Sequence, residues 1–156
     1  MNQIFNPKQI IELLATHEET LAKLYGVYMG QFPDRAFWEH LYKDELVHAS
    51  WLRTIYNLSN QKKIYIDEEI FNQAAIDTSL DYLKKLILEA RSQTQINALG
   101  ISLDIEQAMI EKKYFKVFKT DSAEVQDIMK RLETATLVHI DLVKKELESV
   151  KSQVQP

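Results

Sequence analysis

The chain has 156 residues, of which 46% are hydrophobic and 27% are charged, and its net charge at pH 7 is −4. This length predicts a single domain over 1–156, and the lack of a basic excess argues against a nucleic-acid partner. The chain contains no cysteine, which excludes disulfides, thiolate metal sites and iron–sulfur clusters. No apolar run approaches the roughly 20 residues that span a bilayer, and the N-terminus lacks signal-peptide features. We therefore expect a cytoplasmic protein with no membrane partner.

Four long segments have apolar side chains at the three- and four-residue spacing that is typical of amphipathic helices. They run from about Pro7 to Met29, Asp34 to Leu58, Gln95 to Phe118 and Ser122 to Val150. Helix-capping residue types precede three of them, at Asn6, Thr94 and Asp121. The last six residues, 151–156, are expected to fray.

The lengths of the connections predict the topology. About four residues join the first helix to the second and the third to the fourth, and such short connections form antiparallel hairpins. Between the hairpins, Ser59 to Gln93 contains a periodic run that opens near Thr78 and one short strand candidate at 63–67. We predict an all-α fold, a ferritin-like four-helix bundle of two antiparallel helical hairpins joined by a long crossover that contains a short helix.

Each apolar stripe is interrupted near its middle by polar residues, which are Glu18 in the first helix, Glu45 and His48 in the second, Glu106 in the third, and Thr136 and His139 in the fourth. Measured from the two short turns, these positions lie at similar heights. Buried glutamates that face one another repel or take up protons unless a cation compensates them. Glu45 and His48 are spaced E-x-x-H, which places both on one helix face. Carboxylate and imidazole ligands together favour iron or manganese.

Structural roles are the alternative for each of these residues, as boundary carboxylates or hydrogen-bonded core histidines. His17 and His40 are expected at the surface or the core boundary. Asp44 is a candidate hydrogen-bond partner for the His48 imidazole. The large aromatic residues are expected in the core, and the hydroxyl of Tyr25 is within reach of a ligand carboxylate. The aromatic residues expected in the core are Tyr25, Tyr28, Trp38, Trp51 and Tyr114.

Four segments of the chain resemble the rubrerythrin branch of the ferritin-like superfamily. They are HEETLAKLY (17–25), FWEHLYKDELVHASWL (37–52), LDIEQAMIEKKYF (103–115) and LETATLVHIDLV (132–143). The resemblance implies a dimetal carboxylate site, with two iron ions per chain expected and manganese or zinc as alternatives. Carried onto this sequence, the implied metal ligands are Glu18, Glu45, His48, Glu106 and His139. Glu111 is a weaker alternative to Glu106.

The fourth helix departs from the family pattern. A second E-x-x-H is expected there, but Thr136 stands at the position of its glutamate when LVH at 137–139 is aligned with LVH at 46–48. Glu133 lies one turn away, and counting from the turns would place it opposite Glu45 instead. We favour the LVH alignment, under which one bridging carboxylate is missing.

The resemblance implies an oxidoreductase that reacts with peroxide or dioxygen, or that oxidises ferrous iron. A rubredoxin-like domain is ruled out by the lack of cysteine, so an external electron donor is expected, and a homodimer is expected by resemblance alone. The alternative is a degenerate site that binds one metal or none, in a bundle that serves as a structural or interaction module. Storage or delivery of zinc or iron is a third hypothesis.

Overall fold

The computed structural model describes residues 5–154, and this part of the chain is mostly helical. Its α-helices are α1 (Pro7–Gln31), α2 (Arg35–Leu58), α3 (Gln73–Glu89), α4 (Gln95–Glu111) and α5 (Ala123–Val154). Two short strands, β1 (Ile64–Ile66) and β2 (Phe118–Thr120), and two 3-10 turns, Ala90–Ser92 and Tyr114–Lys116, complete it. The prediction of an all-α class is confirmed. Within 5–154, no helix combines the length and the apolar character that crossing a membrane requires.

The helix starts follow local capping chemistry. Asn6 accepts a hydrogen bond from the backbone two residues later at 3.0 Å, and Thr94 accepts one from the backbone three residues later at 3.1 Å. The prediction that Asp121 caps the last helix is wrong, because the hydroxyl of Ser122 accepts the backbone N–H of the third residue on, at 3.3 Å. Side-chain oxygens thus satisfy backbone donors that have no partner inside the helix.

The third predicted helix ends earlier than its periodicity indicates. α4 stops at Glu111 rather than Phe118, and Lys113 adopts a left-handed conformation with φ 56° and ψ 40°. Left-handed backbone cannot continue a right-handed helix. The chain therefore turns away, and the connection to α5 covers 112–122 instead of about four residues.

The segment between α2 and α4 is more ordered than predicted. α3 begins at Gln73, where Asn72 caps it, and not near Thr78. β1 lies inside the strand candidate at 63–67 and pairs in antiparallel register with β2, which was not predicted. The paired residues run from Ile64 opposite Thr120 to Ile66 opposite Phe118. At the other end of the chain, α5 continues through residue 154, so helix replaces most of the frayed tail expected at 151–156, and 155–156 lie outside the described residues.

Contacts between helices fix their directions. Near the start of α1, Glu12 pairs with Arg53 near the end of α2 at 2.9 Å, whereas Tyr28 near the end of α1 packs on Trp38, with 4.9 Å between ring centroids. α1 and α2 are therefore antiparallel. α4 packs against α5, α3 covers a second side of α1, and α2 also contacts α5. The apolar core lies between these helices.

The buried face of α4 differs slightly from the predicted stripe. Leu99 and Glu106 are buried as expected, but Ile96, Leu103 and Ile110 are only partly buried. The buried positions of α4 are Ala98, Leu99, Ser102, Ile105, Glu106 and Met109. The Ser102 hydroxyl donates to the carbonyl of Ala98 at 2.7 Å, so a small polar residue is accommodated in the core without an unpaired group.

Candidate metal centre

Three ligand-type side chains from α2 and α5 converge in the interior. Glu45 and His48 are 0% and 2% exposed, and their i, i+3 spacing on α2 turns both toward α5. The carboxylate of Glu45 lies between two imidazoles, with Oε2 3.0 Å from Nδ1 of His48 and Oε1 2.9 Å from Nδ1 of His139. One potential ligand atom of each residue lies within 4.8 Å of the others. Glu45, His48 and His139 therefore form a buried group that could hold a metal ion.

The two other predicted ligands border this group. Glu106 on α4 is fully buried, and its Oε1 accepts a hydrogen bond from the hydroxyl of Tyr25 at 2.7 Å and lies 3.4 Å from Nδ1 of His139. Glu18 on α1 is 1% exposed. The Oε2 atoms of Glu18 and Glu106 are both buried, and neither has a hydrogen-bond partner in the described part of the chain. An unpaired buried carboxylate oxygen is costly, and a cation would remove that cost.

His139 connects the buried group to the surface. Its Nδ1 faces Glu45, while its Nε2 lies 3.0 Å from Oδ2 of Asp44, whose side chain is 37% exposed. Asp44 was expected beside His48, but it contacts His139 instead. One turn earlier on α2, Nε2 of the exposed His40 lies 3.4 Å from the same Asp44 oxygen.

The carboxylates of the cluster titrate abnormally. Burial, followed by the charge of Glu45, raises the pKa of Glu18 well above its ordinary value. Burial and the charge of Glu106 raise the pKa of Glu45 from 4.5 to about 7. Burial alone would also raise the pKa of Glu106, but its hydrogen bond to His139 and the charge of that imidazole lower it. Without a cation, Glu18 and Glu45 therefore keep their protons to a higher pH than free carboxyl groups do.

The pKa values of the two imidazoles in the cluster shift in opposite directions. Burial disfavours the charged form of His139, but hydrogen bonds to Glu106 and Glu45 overcome this effect and raise its pKa to about 12. Burial lowers the pKa of His48. His139 is thus the imidazolium that balances the carboxylates in the metal-free protein, and a metal ion would take over that role after displacing its proton.

The structure distinguishes the two candidate positions on the fourth predicted helix, Thr136 and Glu133. Thr136 is 1% exposed on the same face of α5 as His139, and its hydroxyl donates to the carbonyl of Leu132 at 2.9 Å. The side chain of Glu133 is 33% exposed and lies 3.7 Å from the ammonium of Lys116. Thr136 therefore lies with His139 on the buried face of α5, as the LVH alignment predicts, whereas the side chain of Glu133 lies beside Lys116 and outside the cluster.

Other predictions for individual residues need correction. His17 is not at the surface but is 1% exposed, with Nε2 2.8 Å from the hydroxyl of Ser79 and its ring edge-on to Tyr114. Burial lowers its pKa to about 4. Trp51 is only partly buried, and its ring lies 5.4 Å from that of His48. Glu111, the weaker alternative to Glu106, is exposed at the end of α4.

Comparison of the chain with protein-family models, with curated proteins and with solved structures gives no match. The geometry of the buried residues is therefore the basis for any functional conclusion. That geometry offers carboxylate and imidazole donors in a dry interior, with Asp44 and Tyr25 positioned to orient two of them. Such an arrangement suits a transition-metal ion.

Proposed function

We propose that this chain is a ferritin-like metalloprotein of the rubrerythrin type, which binds iron and reacts with peroxide or dioxygen, or oxidises ferrous iron. The convergence of Glu45, His48 and His139 in the interior is the observation that carries the proposal. The predicted two-hairpin bundle is consistent with the antiparallel packing of α1 on α2 and with the crossover through α3.

The residues present fit a metal ion on two grounds. The donor set of carboxylates and imidazoles is one that iron, manganese and zinc share. In addition, Oε2 of Glu18 and Oε2 of Glu106 are buried with no partner among residues 5–154, and a bound cation would satisfy both. We assign Glu45, His48 and His139 to one metal position, with Glu18 and Glu106 beside them as the ligands of a second.

The chain's own residues prepare the site in distinct ways. Glu45 places one carboxylate oxygen against each of the two imidazoles and so holds both rings in place. Asp44 accepts the Nε2–H of His139 and so holds Nδ1 toward the interior, and Tyr25 restrains Glu106 through its hydroxyl. Iron bound here would supply the electrons that reduce the oxidant. The buried surroundings keep bulk water away, and because the chain has no cysteine to hold a thiolate iron centre, repeated reduction of peroxide would draw its electrons from another protein.

Metal content tests the proposal directly. Protein reconstituted with ferrous iron under anaerobic conditions should retain iron after gel filtration, and exposure to peroxide should convert it to the ferric form, as followed by absorbance. Glu45→Ala should lose the metal, whereas Glu39→Gln, which removes an exposed carboxylate of the same helix, should retain it. Equal metal content in both variants would refute the proposed centre.

One observation favours the alternative, a degenerate site in a structural or interaction module. Thr136 uses its hydroxyl within α5 and offers no carboxylate to the cluster. If this loss is decisive, the chain binds one ion or none and does not turn over peroxide. Stoichiometry separates the cases, because about two ions per chain support the oxidoreductase, whereas one redox-inactive ion or none supports the module.

A further inference from the structure

The candidate ligands are sealed from solvent, so an ion needs a route to reach them. Glu18, Glu45, His48, Glu106 and His139 are each at most 2% exposed. Among the polar contacts of these five residues within 5–154, the one that reaches a partly exposed side chain is the contact between His139 and Asp44. This contact is the place where the cluster communicates with the surface.

The groups along this route all have ligand chemistry. Oδ2 of Asp44 lies 3.4 Å from Nε2 of His40 and 3.0 Å from Nε2 of His139, so two imidazole nitrogens, one on an exposed and one on a buried side chain, share one carboxylate oxygen. The side chain of His40 is 59% exposed, that of Asp44 is 37% exposed and that of His139 is 1% exposed. Exposure therefore falls step by step from solvent to the interior.

His139 has the geometry of a transfer residue. Its outward nitrogen, Nε2, faces Asp44, and its inward nitrogen, Nδ1, faces Glu45 at 2.9 Å and Glu106 at 3.4 Å. Carboxylate and imidazole alternate along the whole path from His40 to Glu45. Each step offers the donor types that the same class of divalent cation binds.

We propose that His40 and Asp44 form the access site through which a divalent transition-metal ion is taken up from solvent and passed, by way of His139, to the buried cluster. This inference rests on the proposed metal centre but is separate from its redox activity. It assigns a function to His40, an exposed histidine for which the buried site itself has no use.

The test is the rate of cobalt(II) uptake by metal-free protein, followed in a stopped-flow spectrometer through the visible absorption of the bound ion. His40→Gln should slow uptake by about tenfold, because the access site loses one of its two ligand groups, and loss of a supporting group costs a metal site at least about that factor. Because a route is used in both directions, release of cobalt to an excess of chelator should slow by the same factor, and the affinity should be unchanged. Circular dichroism confirms that the exposed substitution leaves the fold intact.

Glu39→Gln is the matched control, since Glu39 precedes His40 on α2 and pairs with Lys43 at 3.1 Å instead of with Asp44. It should leave both rates unchanged. The proposal is overturned if His40→Gln takes up cobalt at the wild-type rate, if Glu39→Gln is slowed equally, or if release becomes faster as uptake becomes slower. A wild-type protein that binds no cobalt at all would refute the metal centre itself, and with it the access site.

Discussion

Replacing Glu45 by Gln should have opposite effects in the metal-free and the metal-loaded protein. Gln has nearly the shape of Glu and keeps one carbonyl oxygen, but it carries no charge. In the metal-free protein, the substitution removes a buried carboxylate whose ionisation the fold disfavours. In the loaded protein, it removes a charged ligand from between His48 and His139.

The size of the metal-free effect follows from the pKa of Glu45. The folded protein holds a proton on this carboxyl up to about pH 7, whereas an unperturbed carboxyl releases it near 4.5. The folded state therefore loses stability as the pH rises through this interval, and the loss is complete at about 3 kcal/mol above pH 7. Glu45→Gln avoids this loss, so the variant should be more stable than wild type at pH 8 by at most about 3 kcal/mol, less the stabilisation that the His139 imidazolium loses with its Glu45 partner, and by less than about 1 kcal/mol at pH 5.

Thermal and urea unfolding at the two pH values measure this difference, which corresponds to about 6–12 °C in Tm for a chain of this size. With metal, the same variant should bind at least about 100-fold more weakly, since loss of outer partners alone costs up to that factor. Glu39→Gln should alter neither property. Destabilisation of the metal-free protein at pH 8, together with unchanged metal affinity, would show that Glu45 is a structural residue.

Four further outcomes are expected. Thr136→Glu should raise the number of divalent ions retained per chain, measured by metal analysis; an unchanged count would mean that this position does not serve the site. Metal affinity should rise with pH by about tenfold per unit for each proton displaced, because neighbouring carboxylates raise the pKa of His139 to about 12, and calorimetry in different buffers counts the protons released. Asp44→Asn should weaken metal affinity by about 10- to 100-fold in a competition titration, and wild-type affinity would argue against its orienting role. Lys113→Gly should raise the free energy of unfolding by about 1 kcal/mol because φ is 56° there, whereas Lys113→Ala should not.

The inward positions of the cluster could be predicted because a charged residue in an apolar stripe is conspicuous. Glu18, Glu45 and His139 are each flanked at helical spacing by residues that are buried in the structure. Burial of such groups is expensive unless they meet partners, so the pattern itself predicts that they meet. Periodicity could also predict which face of each helix is buried. On α4, however, several of the predicted positions lie about one residue away from the positions that are buried.

The errors have local physical causes. His17 was predicted at the surface or the core boundary; it is adjacent to Glu18, and adjacent residues on a helix point in different directions. α1, however, is covered on two sides, by α2 and by α3, so a second face of it is buried. Counting from the turns favoured Glu133 over Thr136 because the second connection was taken as four residues, whereas it extends over 112–122. A left-handed Lys113 carries no signal in a single sequence.

The pairing of β1 with β2 has a consequence for how this chain behaves beside other copies of itself. A long link between two helical hairpins would allow one hairpin to be exchanged with a neighbouring molecule. Here the link is fastened to the α4–α5 connection by the strand pair, by the N–H of Asp67 donating to the carbonyl of Val117 at 2.7 Å, and by the Thr120 hydroxyl donating to the carbonyl of Lys63 at 2.8 Å. Exchange of α4 and α5 through a hinge that follows β1 would first have to break these contacts, so the strand pair opposes it.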